Sequence, residues 1–437
     1  MGVIASALTA RRNVLELIPD IATRQPMVSG KTGKRWHMVM DPQALCRVLK
    51  DRVEDYPKSD VTRLLLEPAI GKSMFVAEGA HWRWQRLAAA PAFAHRHVEA
   101  LAPVMSAAAA ASVARLARAM AQGPVDVFAE TVTATFEVIS DVTFSEDEGF
   151  DREGVHQAIN AYIDSTARIS VMDILGLPGW VPRPGRLIAG GDLRRMKRVA
   201  DQAIRSRVRR GPRPVPDLLD LLRAGEDPET GRRMDAGELR DNLLTFIVAG
   251  HETTALTLAW SLYLLAFDPR VQTRAAIEAD AALGGRVATA ADLPRLTYIR
   301  QVVDEALRLY PPAAFLSRTA QAHDTLGGRE VRPGDTVMLP IYALHRHHLL
   351  WDDPDSFDPD RFAPGVTRDR FAFLPFGAGP RICIGASFAL QEAVIILASL
   401  LVRFSFALTA QLPQPRMILT LRPHGGVWLT LTARKPG

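Results

Sequence analysis

The sequence predicts a mainly α-helical protein with small β-sheets, and three observations support this fold class. One apolar stretch, Leu243–Phe267, has the length of a membrane span but carries His251 and Glu252 at its centre, which favours a helix buried in a large soluble core. Short segments with Gly-Gly and Pro-Gly turns predict strands in the last third of the chain. Apolar residues repeat at helical spacing in three further segments, residues 103–122, 125–143 and 153–168.

The size and composition of the chain indicate a globular enzyme of the cytoplasm. Its 437 residues exceed the length at which a single core usually divides, so length alone favours two or three domains. The two cysteines exclude a disulfide framework and are typical of a reducing compartment. A formal net charge of +5 is too small to indicate a nucleic-acid partner. The segment before Arg11 is too weakly apolar for a secretory signal or a transmembrane anchor.

The N-terminal region, about residues 20–75, is predicted to contain β-structure. The segments on either side of the GKTGK turn favour a strand pair, and Asp41 and Pro42 are typical of the start of a helix. GKTGK lacks the full spacing of a phosphate-binding loop. Residues 59–77 mix charges with leucines, and we expect them to form an irregular connection over a pocket.

Two side chains in the next segment are candidates for binding an anionic group. Trp82 and Arg86 stand four positions apart, so on a helix they share one face and can both hydrogen-bond to the same ligand. The alternative is a solvated arginine beside a packed tryptophan.

The middle of the chain contains an irregular segment and a basic helix. Prolines, glycines and apolar residues between positions 169 and 191 predict an irregular, apolar lid. Residues 192–210 carry many arginines, which indicates a solvated helix face or, as the alternative, an attraction for an acidic partner.

The centre of the long apolar helix reads AGHETT and has the composition of an oxygen-binding site. Ala249 and Gly250 are small enough to admit a flat ring and a diatomic ligand. Thr253 can bond back to a backbone carbonyl and open the helix locally, and Glu252 can then act as a proton source. The alternative is a threonine patch that is satisfied internally, with Glu252 paired to an arginine.

A glycine-rich loop, FGAGPRICIG at residues 376–385, surrounds Cys383 with groups that favour a thiolate. Its glycines, Gly385 included, allow a close backbone approach, Arg381 adds positive charge, and Phe376 would shield the sulfur from water. One thiolate cannot complete a zinc or iron–sulfur site, whereas haem needs a single axial protein ligand. The alternative is a buried, inert cysteine.

Two further segments are predicted to have structural roles. Glu305 and Arg308 stand three apart on a helix that Pro311 and Pro312 end, so they can form an ion pair on one face. The four residues His345–His348 lack an acidic or third ligand at zinc spacing, which favours structural or surface histidines.

These motifs, in this order, resemble those of the cytochrome P-450 superfamily of haem-thiolate monooxygenases, in the bacterial, soluble form. The loop matches F-G-x-G-x-R-x-C-x-G, the long helix matches A-G-x-[DE]-T-T, and Glu305 with Arg308 matches E-x-x-R. The resemblance implies one domain over residues 1–437 that encloses haem, with a helical body at about 78–311 and the haem-ligand loop at 376–385.

The resemblance also implies roles for individual residues. Cys383 would be the axial ligand of the haem iron, Thr253 and Glu252 would be catalytic, and Ala249, Phe376 and Gly385 would contact haem. Arg361 would complete a buried set with Glu305 and Arg308. The groups expected to bind the haem propionates are Trp82, Arg86, Arg318 and Arg381.

The activity implied is insertion of one oxygen atom from O2 into a lipophilic small molecule, which amounts to hydroxylation. Electrons would come from NAD(P)H through a separate ferredoxin and reductase, or a flavodoxin, that docks near Arg83 and Arg96. The alternatives are a haem-thiolate enzyme that performs coupling, desaturation or peroxide-driven oxidation, and a haem protein that only binds a ligand. The residues expected to touch substrate are Phe246, Phe315, Leu316 and Trp428.

Overall fold

The computed structural model describes residues 3–144, 154 and 190–434. Helices dominate these residues, and the sheets are small, so the predicted fold class is confirmed. The α-helices α1 to α14 are, in order, Val3–Arg12, Pro42–Cys46, Asp60–Ile70, Gly79–Ala89, His95–Ala100, Ala102–Ala119, Val127–Phe144, Gly190–Arg210, Leu218–Ala224, Ala236–Phe267, Pro269–Leu283, Thr297–Leu309, Ile341–Leu344 and Ala386–Arg403.

Strands β1 to β11 are Met27–Thr32, Lys34–Val39, Val125–Asp126, Leu316–Thr319, Asp324–Leu326, Arg329–Val331, Thr336–Leu339, Phe404–Leu408, Gln414–Met417, Leu421–His424 and Trp428–Ala433. Within the described residues they form one four-stranded sheet, one three-stranded sheet and two hairpins. In the larger sheet the order is β1-β2-β7-β4, where β2 and β7 are parallel and the other pairs are antiparallel. The smaller sheet has the order β3-β11-β8.

The long helix α10 runs through the centre of the main core. It begins at a capping box, in which the Asp235 carboxylate accepts the Glu238 N–H at 2.8 Å and the Glu238 carboxylate accepts the Asp235 N–H at 3.0 Å. Apolar residues lie on all sides of the helix and pack against α7, α8, α12 and α14. Most residues of the helix are therefore buried, whereas Ala249 at its centre is exposed.

A second hydrophobic core, separate from the main one, surrounds the four-stranded sheet, and the cysteine loop packs against it. Gly379 has a φ of +69°, and a Cβ at this position would lie 2.0 Å from the Leu49 carbonyl oxygen. Only glycine satisfies both the left-handed backbone and the close approach. The loop is thus fixed between the β-sheet core and the start of α14.

The segment before α4 is more regular than its sequence predicts. Residues 59–77 were expected to be irregular, but Asp60–Ile70 forms helix α3, which Ser59 caps by accepting the Thr62 N–H. Pro68 and the interspersed charges obscure its helical pattern in the sequence. Of the predicted lid at 169–191, residues 169–189 lie outside the described residues, and Gly190 already begins α8.

By length and composition alone, two helical segments of the described residues would be able to cross a membrane, Ala102–Gln122 and Ala386–Arg403. The second is mostly buried in the protein core, at 61% of its apolar window. Leu243–Phe267, which the sequence singled out for its length, is not among them.

Candidate active site

A large cavity, of about 1260 Å³, lies between α10 and the cysteine loop. Its walls come from α3, α4, α10, β4, the segment around the cysteine, and the turn between β9 and β10. Most of the lining is apolar, with a few charged side chains at particular places. A cavity of this kind is typical of a site for a cofactor together with a small-molecule substrate.

Cys383 presents its side chain to this cavity from the glycine-rich loop. The Cys383 N–H donates to the Phe376 carbonyl oxygen at 2.9 Å, which closes the loop beneath the sulfur. The side chain is exposed, but to the cavity, because protein encloses it on the other sides. Burial raises the pKa of the Cys383 thiol, whereas the Gly385 N–H and the charge of Arg86 act in the opposite direction.

The centre of α10 forms another wall and carries a series of hydroxyl groups. The Thr253 hydroxyl donates to the Ala249 carbonyl oxygen at 2.8 Å, and the Thr254 hydroxyl donates to the Gly250 carbonyl oxygen at 3.2 Å. Such bonds compete with the helical ladder and favour local bending. A Cβ at Gly250 would lie 3.3 Å from Ile139 on α7, so close packing of two helices also requires a small residue there.

Glu252 lines the cavity but is tied to the C-terminal hairpin. Its carboxylate accepts a hydrogen bond from the Thr420 hydroxyl at 2.9 Å and forms an ion pair with Arg422. It is only 4% exposed. The arginine pairing that was the alternative expectation for Glu252 is therefore present, in a residue that still faces the cavity. Nothing in the sequence indicated Thr420 or Arg422, because about 170 residues separate them from Glu252.

Positive charge is concentrated at one part of the cavity. Lys58, Arg318 and Arg381 all line it, and Arg381 forms an ion pair with Glu78 while its guanidinium lies 4.4 Å from the Trp82 ring centroid. Arg318 is buried, and its Nε has no hydrogen-bond partner in the described structure. Burial and the neighbouring charge of Arg381 lower the pKa of Arg318 to about 10.

Lys58 belongs to the same group, although the sequence did not single it out. A β-bridge between Lys58 and Arg318 brings these two residues together from distant parts of the chain. Burial, followed by the charges of Arg381 and Arg318, lowers the pKa of Lys58 to about 7. Three cations with Glu78 as their acidic neighbour suit a ligand that carries negative charge, so the residues present fit the carboxylates of a haem group.

Arg86 also faces the cavity, on the same helix face as Trp82. Burial lowers the pKa of Arg86, and the nearby Cys383 sulfur opposes this shift. The shared face predicted from the spacing of Trp82 and Arg86 is therefore present in α4.

The predicted structural set lies behind the cysteine loop. Glu305 and Arg308 are fully buried and form two hydrogen bonds, at 2.6 and 2.7 Å. Arg361 Nε lies 3.4 Å from Glu305 Oε1, so the structure brings all three side chains together. Burial raises the pKa of Glu305, and the hydrogen bonds from Arg308 act against this shift. The Arg308 guanidinium also donates to the carbonyl oxygens of His345, Pro354 and Ser356.

Three of the four predicted substrate contacts face the cavity, namely Phe246, Phe315 and Leu316. The fourth residue, Trp428, is not part of the cavity lining among the described residues; it is 37% exposed and donates its indole N–H to the Gly425 carbonyl oxygen. Its position in β11 decides this, because alternate residues of that strand are buried and Trp428 falls on the outer face.

An α-helical fold around a large apolar cavity, with a loop cysteine and a threonine-bearing helix in its walls, defines the class of the haem-thiolate oxidoreductases. A sequence model of the family described as Cytochrome P450 matches residues 22–429. The chain therefore belongs to the cytochrome P450 family, and it is a P450 monooxygenase. This family uses haem and O2, with electrons from a redox partner.

Individual relatives agree with this assignment. Cyclooctatin synthase of Streptomyces melanosporofaciens is 32% identical over 424 residues, which cover 95% of this chain and 91% of the relative. Cyclooctat-9-en-7-ol 5-monooxygenase of the same organism is 34% identical over 400 residues, covering 90% and 85%. The crystal structure of the cytochrome P450DA heme domain has a TM-score of 0.84 at 29% identity and covers 94% of this chain and 90% of that chain.

Proposed function

We propose that this chain binds haem b in the cavity, with the Cys383 thiolate as the axial ligand, and hydroxylates a lipophilic small molecule. The observation that carries the proposal is that Cys383, Thr253 and a group of buried and half-buried cations all face one cavity. Thiolate-bound haem iron supplies the activation of O2 and the transfer of one oxygen atom to a C–H bond. Residues 1–437 would form one domain around this site.

The chain's own residues would hold the haem at both its polar and apolar edges. Lys58, Arg86, Arg318 and Arg381 offer cationic donors to the propionates, and Trp82 offers its indole N–H. Phe376, Gly385 and Ala249 line the same cavity with small or apolar surfaces that suit a flat ring. Glu305, Arg308 and Arg361 would keep the cysteine loop in place through the carbonyl groups that Arg308 binds.

Proton delivery is the role we propose for Thr253 and Glu252. The Thr253 hydroxyl can leave the Ala249 carbonyl and donate into the cavity by rotation about one bond. The Glu252 carboxylate is positioned by Thr420 and Arg422, so its proton exchange with solvent would pass along the C-terminal hairpin.

The substrate we propose is a lipophilic small molecule, because Phe246, Phe315, Leu316 and their neighbours give the cavity an apolar lining. One relative is named a cyclooctatin synthase and another a cyclooctat-9-en-7-ol 5-monooxygenase, and this likeness supports a hydrophobic substrate. We propose a ferredoxin with its reductase, or a flavodoxin, as the electron donor, with NAD(P)H as the source. A free thiolate ligand favours the cytoplasm as the compartment.

The test is the absorption spectrum of the purified protein after reduction in the presence of carbon monoxide. We expect a Soret band near the position typical of thiolate-bound iron, and we expect Cys383→Ser to lose that band while Cys46→Ser keeps it. The same band in Cys383→Ser would exclude the proposed ligand. Product analysis with NADPH and a reconstituted redox pair, against peroxide alone, then separates monooxygenation from peroxide-driven chemistry and from ligand binding without turnover.

A further inference from the structure

Two buried amide side chains connect parts of the site without lining the cavity themselves. Asn242 on α10 and Gln85 on α4 are both 0% exposed. Neither belongs to the cavity wall. Together they reach the segment between α3 and α4, residues 71–78, which supplies Met74 and Phe75 to the cavity.

Asn242 holds the backbone of this segment directly. Its Oδ1 accepts the Met74 N–H at 3.0 Å. Its Nδ2 donates to Gln85 Oε1 at 2.7 Å and to the Glu238 carbonyl oxygen at 2.8 Å. All the strong hydrogen-bonding capacity of the Asn242 NH2 group is thus used.

Gln85 completes the connection from the other side. Its Nε2 donates to the Lys72 carbonyl oxygen at 3.0 Å and lies 2.8 Å from His81 Nε2. Rotating the amide of Gln85 or of Asn242 by 180° would bring N–H groups face to face and leave carbonyl oxygens unpaired. The pair therefore has one favourable arrangement, and in a buried site the alternatives are costly.

A second contact fixes the same segment against α10. Gly71 has a φ of +56°, and a Cβ there would lie 1.8 Å from Asp241 Oδ2. The Lys72 N–H donates to the same carboxylate oxygen at 3.2 Å. Because α10 also supplies Phe246 to the cavity, these bonds set the distance between two of its walls.

We propose that Asn242 and Gln85 are positioning residues that set the width of the cavity between α10 and the segment that carries Met74, and that they thereby select substrates by size. This inference rests on the proposed haem site, since its probes bind the haem iron. Loss of either amide leaves buried groups without partners, so the Met74 segment is expected to move away from its present position.

The experiment compares two probes on the haem-loaded Asn242→Ala variant, imidazole and 4-phenylimidazole. Both bind iron through a ring nitrogen, but only the larger one extends towards the walls. We expect the dissociation constant of 4-phenylimidazole to rise about fivefold or more, because loss of the hydrogen bond that holds the Met74 N–H corresponds to roughly this factor. The dissociation constant of imidazole should change less than about twofold. Hydrogen exchange across residues 71–77 is expected to become faster.

Gln272→Ala is the matched control. Gln272 is a buried amide that also makes three hydrogen bonds, to Leu265 and Phe406, but it does not approach the cavity. We expect this variant to lose stability without a change in the ratio of the two dissociation constants. An equal change in Gln272→Ala would attribute the effect to general loosening and overturn the inference.

The inference is also overturned if haem-loaded Asn242→Ala keeps the wild-type ratio and the wild-type exchange at residues 71–77. Where Asn242→Ala does not retain haem, Gln85→Leu answers the same question, because it removes the partner of Asn242 and of the Lys72 carbonyl while filling the space. Failure of the proposed function itself is distinct, since the wild-type protein would then show no thiolate-haem band.

Discussion

Lys58 is a half-buried cation whose closest charged neighbours are mostly cations. Arg381 and Arg318 lower its pKa further than burial alone, and Glu78 gives only partial compensation. The sequence pointed to Arg318 and Arg381 through their motifs but not to Lys58, because a β-bridge between distant segments creates its environment. Such a residue is unfavourable in an isolated protein and favourable beside a dianionic cofactor.

Replacing Lys58 with Met is expected to weaken haem retention. Removal of one charge-assisted contact to a propionate corresponds to about a tenfold faster transfer of haem to a haem-free globin. Lys31→Met is the control, because Lys31 is an exposed lysine on β1. Equal transfer rates for wild type and Lys58→Met would show that Lys58 does not contact the cofactor.

The same substitution has the opposite effect on the haem-free protein. The pKa of Lys58 is about 7 in the folded chain, against an ordinary value of 10.5. Below pH 7 both states are protonated and the folded state carries the full cost of the buried charge, which disappears as pH rises towards 10.5. Lys58→Met should therefore raise the free energy of unfolding most at pH 7 and below, as urea denaturation measures.

His345 connects the end of α12 to the segment that leads into the cysteine loop. Its Nδ1 lies 3.2 Å from the Arg308 carbonyl oxygen, and its Nε2 accepts the Leu374 N–H at 2.8 Å. The ring is fully buried. The sequence left a structural and a surface role open for these histidines. His345 has the structural role, because its neutral ring joins two elements that position Cys383.

Acid is expected to destabilise the protein through His345. Burial, and then the charge of Arg308, lowers the pKa of His345 to about 3 from an ordinary value of 6.5. Between these values the unfolded chain binds a proton that the folded chain does not, so stability falls as pH decreases from 6.5. The slope is up to about 1.4 kcal/mol per pH unit.

His345→Gln tests this expectation, because glutamine can accept from Leu374 and donate to Arg308 but does not titrate. The free energies of unfolding of variant and wild type should converge as pH falls from 6.5 to 4.5, and any cost of the substitution should be largest at pH 7.5. Parallel acid dependence in the two proteins would mean that His345 is not the responsible group.

The sequence predicted the site residues that their neighbours along the chain indicate. It missed the residues that reach the site through contacts between distant segments. Cys383, Thr253 and the Glu305 pair were found because their neighbours along the chain carry the signal. Arg422 beside Glu252, and Asn242 beside Gln85, come from segments far apart, so no local pattern indicates them. Trp428 lies outside the described cavity lining because the register of its strand, rather than its composition, decides which face it occupies.

We expect the electron donor to dock on the surface around the cysteine loop. Ile382, which precedes Cys383 in this loop, is 41% exposed and also lines the cavity. Lys50 is exposed next to Leu49, whose carbonyl packs on Gly379. Arg96 is exposed on α5, a helix that follows the Phe93 contact with Gly385. An apolar centre with basic residues at its edge suits an acidic partner protein.

Charge reversal at Arg96 is therefore expected to slow the first reduction of the haem by an acidic ferredoxin about tenfold at low ionic strength, with a smaller effect at high salt. Arg83→Glu should have the smaller effect, because Glu229 lies 3.1 Å from the Arg83 guanidinium and already offsets its charge. Arg270→Glu is the control, since Arg270 is also exposed and lies at the start of α11. Stopped-flow reduction under carbon monoxide measures all three, and a rate for Arg96→Glu equal to that of Arg270→Glu would place the partner on another face.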